Sequence, residues 1–191
     1  MKKKFWLVFG SFLLCGLAVA IILLSFVKCS PLKNASKNLT SYAIDAELDE
    51  SLAEYSSCLF FEDNNVGDTY KNLIKDATAS YLLYVDVIGS LNKNINLEMN
   101  LSVDKYASEY EYTYMVYVKG VIMLDSLRDV VGKDKLIKAL KNYCKNYSFK
   151  LAKPENFIEI VKKTCHKDVD GFFSGWLAGT NVVATTFVSI L

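Results

Sequence analysis

Residues 112–132 read YTYMVYVKGVIMLDSLRDVVG and form the densest apolar run of the chain outside its N-terminus. Up to Asp125 the run leaves almost no polar face, and a helix that is apolar nearly all round is a buried helix. Gly132 supplies the positive φ that commonly follows the last turn of a helix. Gly120 lets a second backbone approach closely, at a cost of about 1 kcal/mol relative to alanine. We therefore predict an all-α domain that packs around this central helix.

Five other segments carry apolar residues at helical spacing and are predicted to pack on the central helix. They are residues 41–61, residues 68–88 ended by Gly89, residues 133–147, residues 154–163, and a last helix that Asp168 or Asp170 caps and Gly179 ends. The buried stripe of the first is predicted to be Ile44, Leu48, Leu52, Tyr55 and Leu59. Its second face carries small residues with Glu50 and Glu54. Residues 91–110 have no clear period and predict a long irregular loop, a kind that is often functional.

The composition narrows the classes of partner. The chain has 191 residues, with 22 Lys and Arg against 21 Asp and Glu, and a formal net charge of +1. This balance favours neither nucleic acid nor an acidic substrate, so we predict no binding to nucleic acid. The presence of two prolines in the whole chain is typical of a helical protein.

Residues 5–27 form an uncharged apolar run behind three lysines at positions 2–4. Because about 20 apolar residues cross the hydrocarbon core of a bilayer, this run is long enough to be a transmembrane helix. The lysines predict a cytoplasmic N-terminus, with everything after Lys28 outside the cell. The alternative is a cleaved signal peptide, since Ala18-Val19-Ala20 has the small-x-small pattern. The run continues beyond this pattern, which favours an uncleaved, single-pass anchor in the cell membrane.

The predicted organisation has four parts. Residues 1–28 are the transmembrane anchor or signal segment, 29–40 a polar linker, 41–179 an extracellular helical domain and 180–191 an apolar tail. The tail is rich in β-branched residues and resembles a strand without a partner, or the start of a further domain.

The five cysteines do not suggest a disulfide framework. Cys15 lies in the apolar run and Cys29 at its edge, which leaves Cys58, Cys144 and Cys165 in the domain. These three show no CxxC and no Cys/His metal spacing, so buried free thiols are the favoured interpretation. If one pair forms outside the cell, Cys144 with Cys165 is the pair to test.

Two short segments resemble motifs of the membrane alanyl aminopeptidases, a family of zinc-dependent gluzincin metallopeptidases. Residues 48–55, LDESLAEY, resemble that family's segment WLDEGLAEY, and residues 116–120, VYVKG, are similar to its segment VYEKG. Further matching residues recur in the same order: Leu127-Arg128, Val131-Gly132, Tyr143, Tyr147-Ser148-Phe149, Phe172-Phe173 and Trp176-Leu177. The resemblance covers about residues 48–179. It implies the helical, C-terminal half of a gluzincin catalytic domain.

The resemblance also implies roles for two residues. In the family, zinc is held by two histidines of a helix with the motif HExxH and by one glutamate of the next helix, and Glu50 matches that glutamate. A tyrosine of the family hydrogen-bonds the oxyanion of the tetrahedral intermediate, and Tyr117 matches it. A zinc ion with three protein ligands and one open position activates water for peptide hydrolysis.

The sequence departs from the family at the zinc site. The 191 residues contain no HExxH, and their one histidine, His166, is predicted to lie at a surface or helix end, far from Glu50 in sequence. The family's spacing would put HExxH just before residue 32. Ser51 replaces the usual glycine, and Glu47 stands where the family has tryptophan. Since one carboxylate does not hold zinc tightly, we expect no cofactor in this chain alone, and zinc only if a second chain completes the site.

Three hypotheses for function remain. The first is a membrane-anchored, extracellular remnant of a zinc aminopeptidase catalytic domain, without peptidase activity alone, in which a groove beside the vestigial Glu50 and Tyr117 binds a peptide or protein. The second is one half of a split zinc aminopeptidase whose HExxH lies on another chain. The third is a small anchored helical protein whose tyrosine-rich residues 106–114 contact a partner, because tyrosine is common at contact surfaces.

Overall fold

The computed structural model of the chain describes residues 46–91, 95–150 and 152–181. Every regular element in these ranges is helical, which confirms the predicted all-α class. The α-helices are α1 (Ala46–Asp63), α2 (Thr69–Leu91), α3 (Glu109–Tyr112), α4 (Lys119–Val131), α5 (Lys133–Tyr147), α6 (Pro154–Cys165) and α7 (Asp170–Leu177). A 3-10 turn spans Val103–Lys105, and a π-helical segment spans Thr113–Val118.

The predicted central helix is present, but it is not uniform. It consists of α3, the π-helical segment and α4 in direct succession, and it ends at Gly132 with φ 90°. Met115, Val116 and Leu124 are fully buried in it. Both α1 and α2 pack on the π-helical segment and on α4, so this composite helix is the centre of the domain.

Helix α1 crosses the central helix at close range. A methyl group on Gly120 would lie 2.1 Å from the Oγ of Ser51, so only glycine fits at this crossing. The Ser51 hydroxyl donates a hydrogen bond of 2.7 Å to the carbonyl oxygen of Val116. The close approach predicted for Gly120 is therefore confirmed. The stripe of α1 is buried as predicted at Leu48, Leu52, Tyr55 and Leu59, while Ile44 lies outside the described residues.

The second half of the domain follows its predicted pattern with one exception. Helix α5 has the predicted bounds, and Phe157, Ile160 and Val161 of α6 are buried. The ring of Phe157 meets that of Phe173 edge to face, with 6.1 Å between the ring centroids. Cys144, which was expected to be a buried thiol, is exposed, because the buried face of α5 is formed by Leu136, Ala139 and Tyr143.

Two predicted helix boundaries are wrong. Helix α2 continues through Gly89 to Leu91, because a glycine without a positive φ adopts helical geometry and only weakens the helix. The N-cap of α7 is Val169 rather than Asp168 or Asp170. The Asp168 carboxylate nevertheless accepts the backbone N–H of Asp170 at 3.0 Å, which satisfies one free donor of the first turn.

The described part of the loop between α2 and α3 is irregular, as predicted, but it is held against the domain. Met99 is buried, and its N–H donates to the carbonyl oxygen of Leu177 at 2.9 Å. The Tyr106 hydroxyl donates back to the carbonyl oxygen of Met99 at 3.1 Å. This loop therefore connects α7 to the start of the central helix.

None of the helices in the described ranges is both long and apolar enough to cross a membrane. The predicted anchor at residues 5–27 lies outside those ranges, as do the linker at 29–40 and residues 182–191 of the predicted tail. In the described part of the chain Cys58, Cys144 and Cys165 form no disulfide with one another, and Cys58 and Cys165 are buried as the favoured interpretation expected.

Candidate functional site

The structure places the two residues matched to family motifs side by side. Glu50 lies on α1 and Tyr117 in the π-helical segment, and both are half-buried. Burial raises the pKa of the Tyr117 hydroxyl, and the negative charge of Glu50 and the neighbouring Tyr112 raise it further. The hydroxyl is therefore protonated at neutral pH and is able to donate a hydrogen bond.

The backbone around this pair explains why the side chains meet. Ser51, next to Glu50, is bonded to the carbonyl oxygen of Val116, next to Tyr117. The close crossing at Gly120 therefore fixes the register of α1 against the central helix, and with it the position of both side chains. The π-helical geometry at Tyr117 is uncommon, and such segments are frequent at functional sites. The sequence carried no signal for it.

A second carboxylate accompanies the pair. Glu54 lies one turn after Glu50 on α1, where residues four apart share a face. Burial and the negative charge of Glu50 raise the pKa of the Glu54 carboxyl. The ring of Tyr112 packs edge to face on that of Tyr117, with 5.8 Å between centroids. The site thus contains two carboxylates and two phenols on one side of the central helix.

An open cavity of about 600 Å³ lies beside this group. Its polar lining residues are Glu54, Glu109, Tyr112, Thr113 and Tyr117, and its apolar lining residues are Cys58, Leu73, Ala77, Val103, Val118 and Val121. The volume is in the range of small-molecule and peptide pockets. The cavity is formed between α1, α2, the 3-10 turn and the composite central helix, and Tyr117 lines it whereas Glu50 does not.

The residues present do not fit a zinc ion by themselves. No group of three His, Cys, Asp or Glu that could hold a metal occurs within residues 46–91, 95–150 and 152–181. His166 is exposed at the C-terminal cap of α6 with φ 52°, which confirms the predicted helix-end position. The next residue, Lys167, donates to the carbonyl oxygen of Val130 at 2.7 Å. Val130 is thirteen residues beyond Tyr117, about 20 Å along the helix, so His166 lies at the opposite end of α4 from the site.

One buried residue of this region was missed in the sequence. Lys119 has no solvent exposure, and its Nζ donates to the carbonyl oxygens of Leu97 at 2.6 Å and Trp176 at 3.3 Å. Burial lowers the pKa of its ammonium group to about 8. The available signal was its position between Val118 and Gly120, in a run where no polar face exists.

The tyrosines of residues 106–114 divide between core and surface. Tyr106 is buried, whereas Tyr110 is 58% exposed. Tyr114 stacks on Tyr84 of α2 with 4.4 Å between ring centroids. Most of this segment therefore covers the core, and one ring of it faces solvent.

The all-helical fold is the one expected of the C-terminal part of a metallopeptidase catalytic domain. The sequence model described as the peptidase family M1 domain matches residues 44–176, which include both residues. The chain belongs to peptidase family M1. No curated protein matches the chain, and no solved structure does.

Proposed function

We propose that this chain is a peptide-binding module derived from an M1 catalytic domain, without peptidase activity on its own. The open cavity of about 600 Å³ beside Glu50 and Tyr117 carries this proposal. A cavity with an apolar wall and a few polar groups at one side is the usual form of a binding site. The predicted anchor at residues 5–27 would hold the module at the outer face of the cell membrane.

The chemistry of the donor set supports the absence of hydrolysis. Catalytic zinc sites have three protein ligands and a general base. In the described ranges no group of three His, Cys, Asp or Glu could hold a metal ion, and the 191 residues hold no HExxH. Glu50 and Tyr117 then act as polar contacts at the edge of the cavity rather than as a metal ligand and an oxyanion donor.

A split enzyme is the second candidate, and one observation favours it. The wall formed by Cys58 of α1 with Leu73 and Ala77 of α2 is an apolar surface between two helices. A helix from a separate chain that carries HExxH could cover this surface and bring two histidines to Glu50. A neighbouring reading frame that encodes HExxH near its end would favour this candidate over the first.

The proposal is tested with a variant whose larger side chain occupies the cavity. Ala77 lines it, whereas Ala79 lies two residues along α2 and is exposed. Full-length protein in detergent micelles is titrated with a library of labelled peptides by fluorescence polarisation. We expect saturable binding that Ala77→Trp abolishes and the matched variant Ala79→Trp preserves. Equal binding to both variants, or hydrolysis of alanine p-nitroanilide that requires Glu50, would contradict the proposal.

A further inference from the structure

The polar lining of the cavity contains acidic side chains but no basic side chain among the described residues. Two carboxylates line it, from Glu54 on α1 and Glu109 on α3, and Glu50 lies one turn from Glu54. Among the residues that the structure describes, no lysine or arginine lines it. The other polar lining groups are hydroxyls, which are able to accept hydrogen bonds. The ionisable side chains that line the cavity are therefore both carboxylic acids.

Within the ranges that the structure describes, the ion pairs of the domain lie elsewhere. Glu62 pairs with Arg128 at 2.7 Å and with Lys133 at 2.9 Å. The other pairs join Lys133 to Asp63 or lie at the start of α2 and around Lys162 and Lys163. Neither Glu54 nor Glu109 takes part in any of them. The desolvated carboxylate of Glu54 thus lacks a cation of the described chain to offset the cost of its burial.

We infer that the cavity selects a lysine side chain of a bound peptide, with its alkyl stem on the apolar wall and its ammonium group between Glu54 and Glu109. This inference rests on the proposed peptide-binding function and names the side chain that the cavity takes. Charge complementarity identifies the ligand as a cation, and the apolar wall requires a hydrocarbon part behind the charge.

Lysine fits the arrangement of acceptors better than arginine. The carboxylates and hydroxyls come from three elements, namely α1, α3 and the π-helical segment. An ammonium group has three donors that point in different directions, whereas a guanidinium is a planar fork suited to one carboxylate. Tyr112 and Tyr117 also line the cavity, and aromatic rings are able to stabilise a nearby cation.

The burial of Glu54 strengthens the argument. The pKa of its carboxyl is raised first by desolvation and then by Glu50. An ammonium group placed beside it would offset both effects, because opposite charges favour the ionised form of each group. The cation therefore gains more at this site than at a carboxylate on the open surface, where ion pairs contribute little.

The experiment compares two peptides on the full-length protein. Both are fluorescein-labelled pentapeptides with acetylated N-terminus and amidated C-terminus, one with lysine at the centre and one with norleucine, which has the same stem without the charge. We expect the lysine peptide to bind about tenfold more tightly, the difference of roughly 1.4 kcal/mol that a partly desolvated charge contact supplies. Glu54→Gln should remove this preference, and Glu98→Gln, an exposed residue outside the cavity, should preserve it.

The outcomes separate the two proposals. Equal affinity of the two peptides, both lost in Ala77→Trp, overturns the lysine inference and leaves the peptide-binding function in place. A lysine preference that survives Ala77→Trp or Glu54→Gln also overturns the inference, because the charge is then recognised elsewhere. A peptide with a free N-terminus that competes where the acetylated lysine peptide does not bind overturns it as well. If no peptide of the library or of this pair binds, the proposed function fails together with the inference.

Discussion

Tyr117 and Lys119 are two residues apart on the central helix and lie in opposite environments. Lys119 is fully buried, and both of its hydrogen bonds go to backbone carbonyls of other segments. Tyr117 is half-buried and faces Glu50 at the edge of an open cavity. We call the side of the central helix at Lys119 the closed side, because the Lys119 ammonium group is hydrogen-bonded within the chain. We call the side at Tyr117 the open side, because polar groups there line a cavity that a ligand can enter.

This difference predicts which substitutions change stability and which change ligand binding. A fully buried charge persists only when its donors are satisfied, so the contacts of Lys119 with Leu97 and Trp176 hold the loop and α7 on the central helix. Polar groups at an open cavity are able to exchange partners with water or a peptide. Substitutions on the closed side should therefore change the free energy of unfolding, and those on the open side should change binding.

The largest loss of stability is expected on substitution of Lys119. Lys119→Ala leaves the carbonyl oxygens of Leu97 and Trp176 without this donor and creates a void where the alkyl stem lay. We expect the free energy of unfolding to fall by about 3 kcal/mol. Urea denaturation of the full-length protein measures it, with the exposed Lys138→Ala on α5 as the control. A change no larger than that of the control would show that Lys119 does not hold the closed side.

Substitution at Gly120, where α1 crosses α4, should lower the free energy of unfolding nearly as much. A methyl group on Gly120 would meet the Oγ of Ser51 at 2.1 Å, so Gly120→Ala forces α1 away from α4. We expect a loss of about 2 kcal/mol in the free energy of unfolding, as for overpacked cores. Ser51→Gly in the same chain removes the clashing side chain and should restore part of the loss. Full additivity of the two substitutions would contradict the assigned contact.

The titration of Lys119 gives a smaller effect with a defined sign. Its pKa is about 8 in the folded protein against an ordinary value of 10.5, so between these values the unfolded chain binds more protons than the folded one. The free energy of unfolding should therefore rise with pH, by roughly 1.5 kcal/mol between pH 8 and 9.5. Lys119→Met should remove this rise. A flat or falling profile of the unaltered protein over this range would contradict the prediction.

The smallest stability effect is expected on the open side. Tyr117→Phe removes the hydroxyl whose pKa Glu50 raises but keeps the ring that packs on Tyr112. We expect the free energy of unfolding to change by less than about 1 kcal/mol, because the carboxylate remains accessible to water. The same variant should alter the affinity for the lysine peptide. A large loss of stability without a change in affinity would reverse the roles of the two sides.

Much of the closed side could be predicted from the sequence. The apolar run at residues 112–132 identified the central helix, and Gly120 identified its close crossing. Helix α5 was bounded correctly, because Gly132 precedes a clear amphipathic period. These features are local. They depend on the spacing of apolar residues and on the positions of glycines, and both can be read directly from the sequence.

The features that escaped prediction depend on tertiary contacts. Burial of Lys119 requires carbonyls from Leu97 and Trp176, which are distant in sequence. Gly89 was expected to end α2, but no positive φ is needed there and the helix continues. Motif resemblance selected Glu50 and Tyr117, yet the cavity beside them and the carboxylates of Glu54 and Glu109 emerge only when α1, α2 and α3 are packed.

The zinc content of purified full-length protein tests the central claim most directly, measured by atomic spectroscopy beside Glu50→Ala. The open side lacks the three ligands of a catalytic site in the described ranges. We therefore expect far less than one zinc per chain in both proteins, even after incubation with equimolar zinc and dialysis. Near-stoichiometric zinc that Glu50→Ala removes would contradict this account and assign the open side to a metal centre.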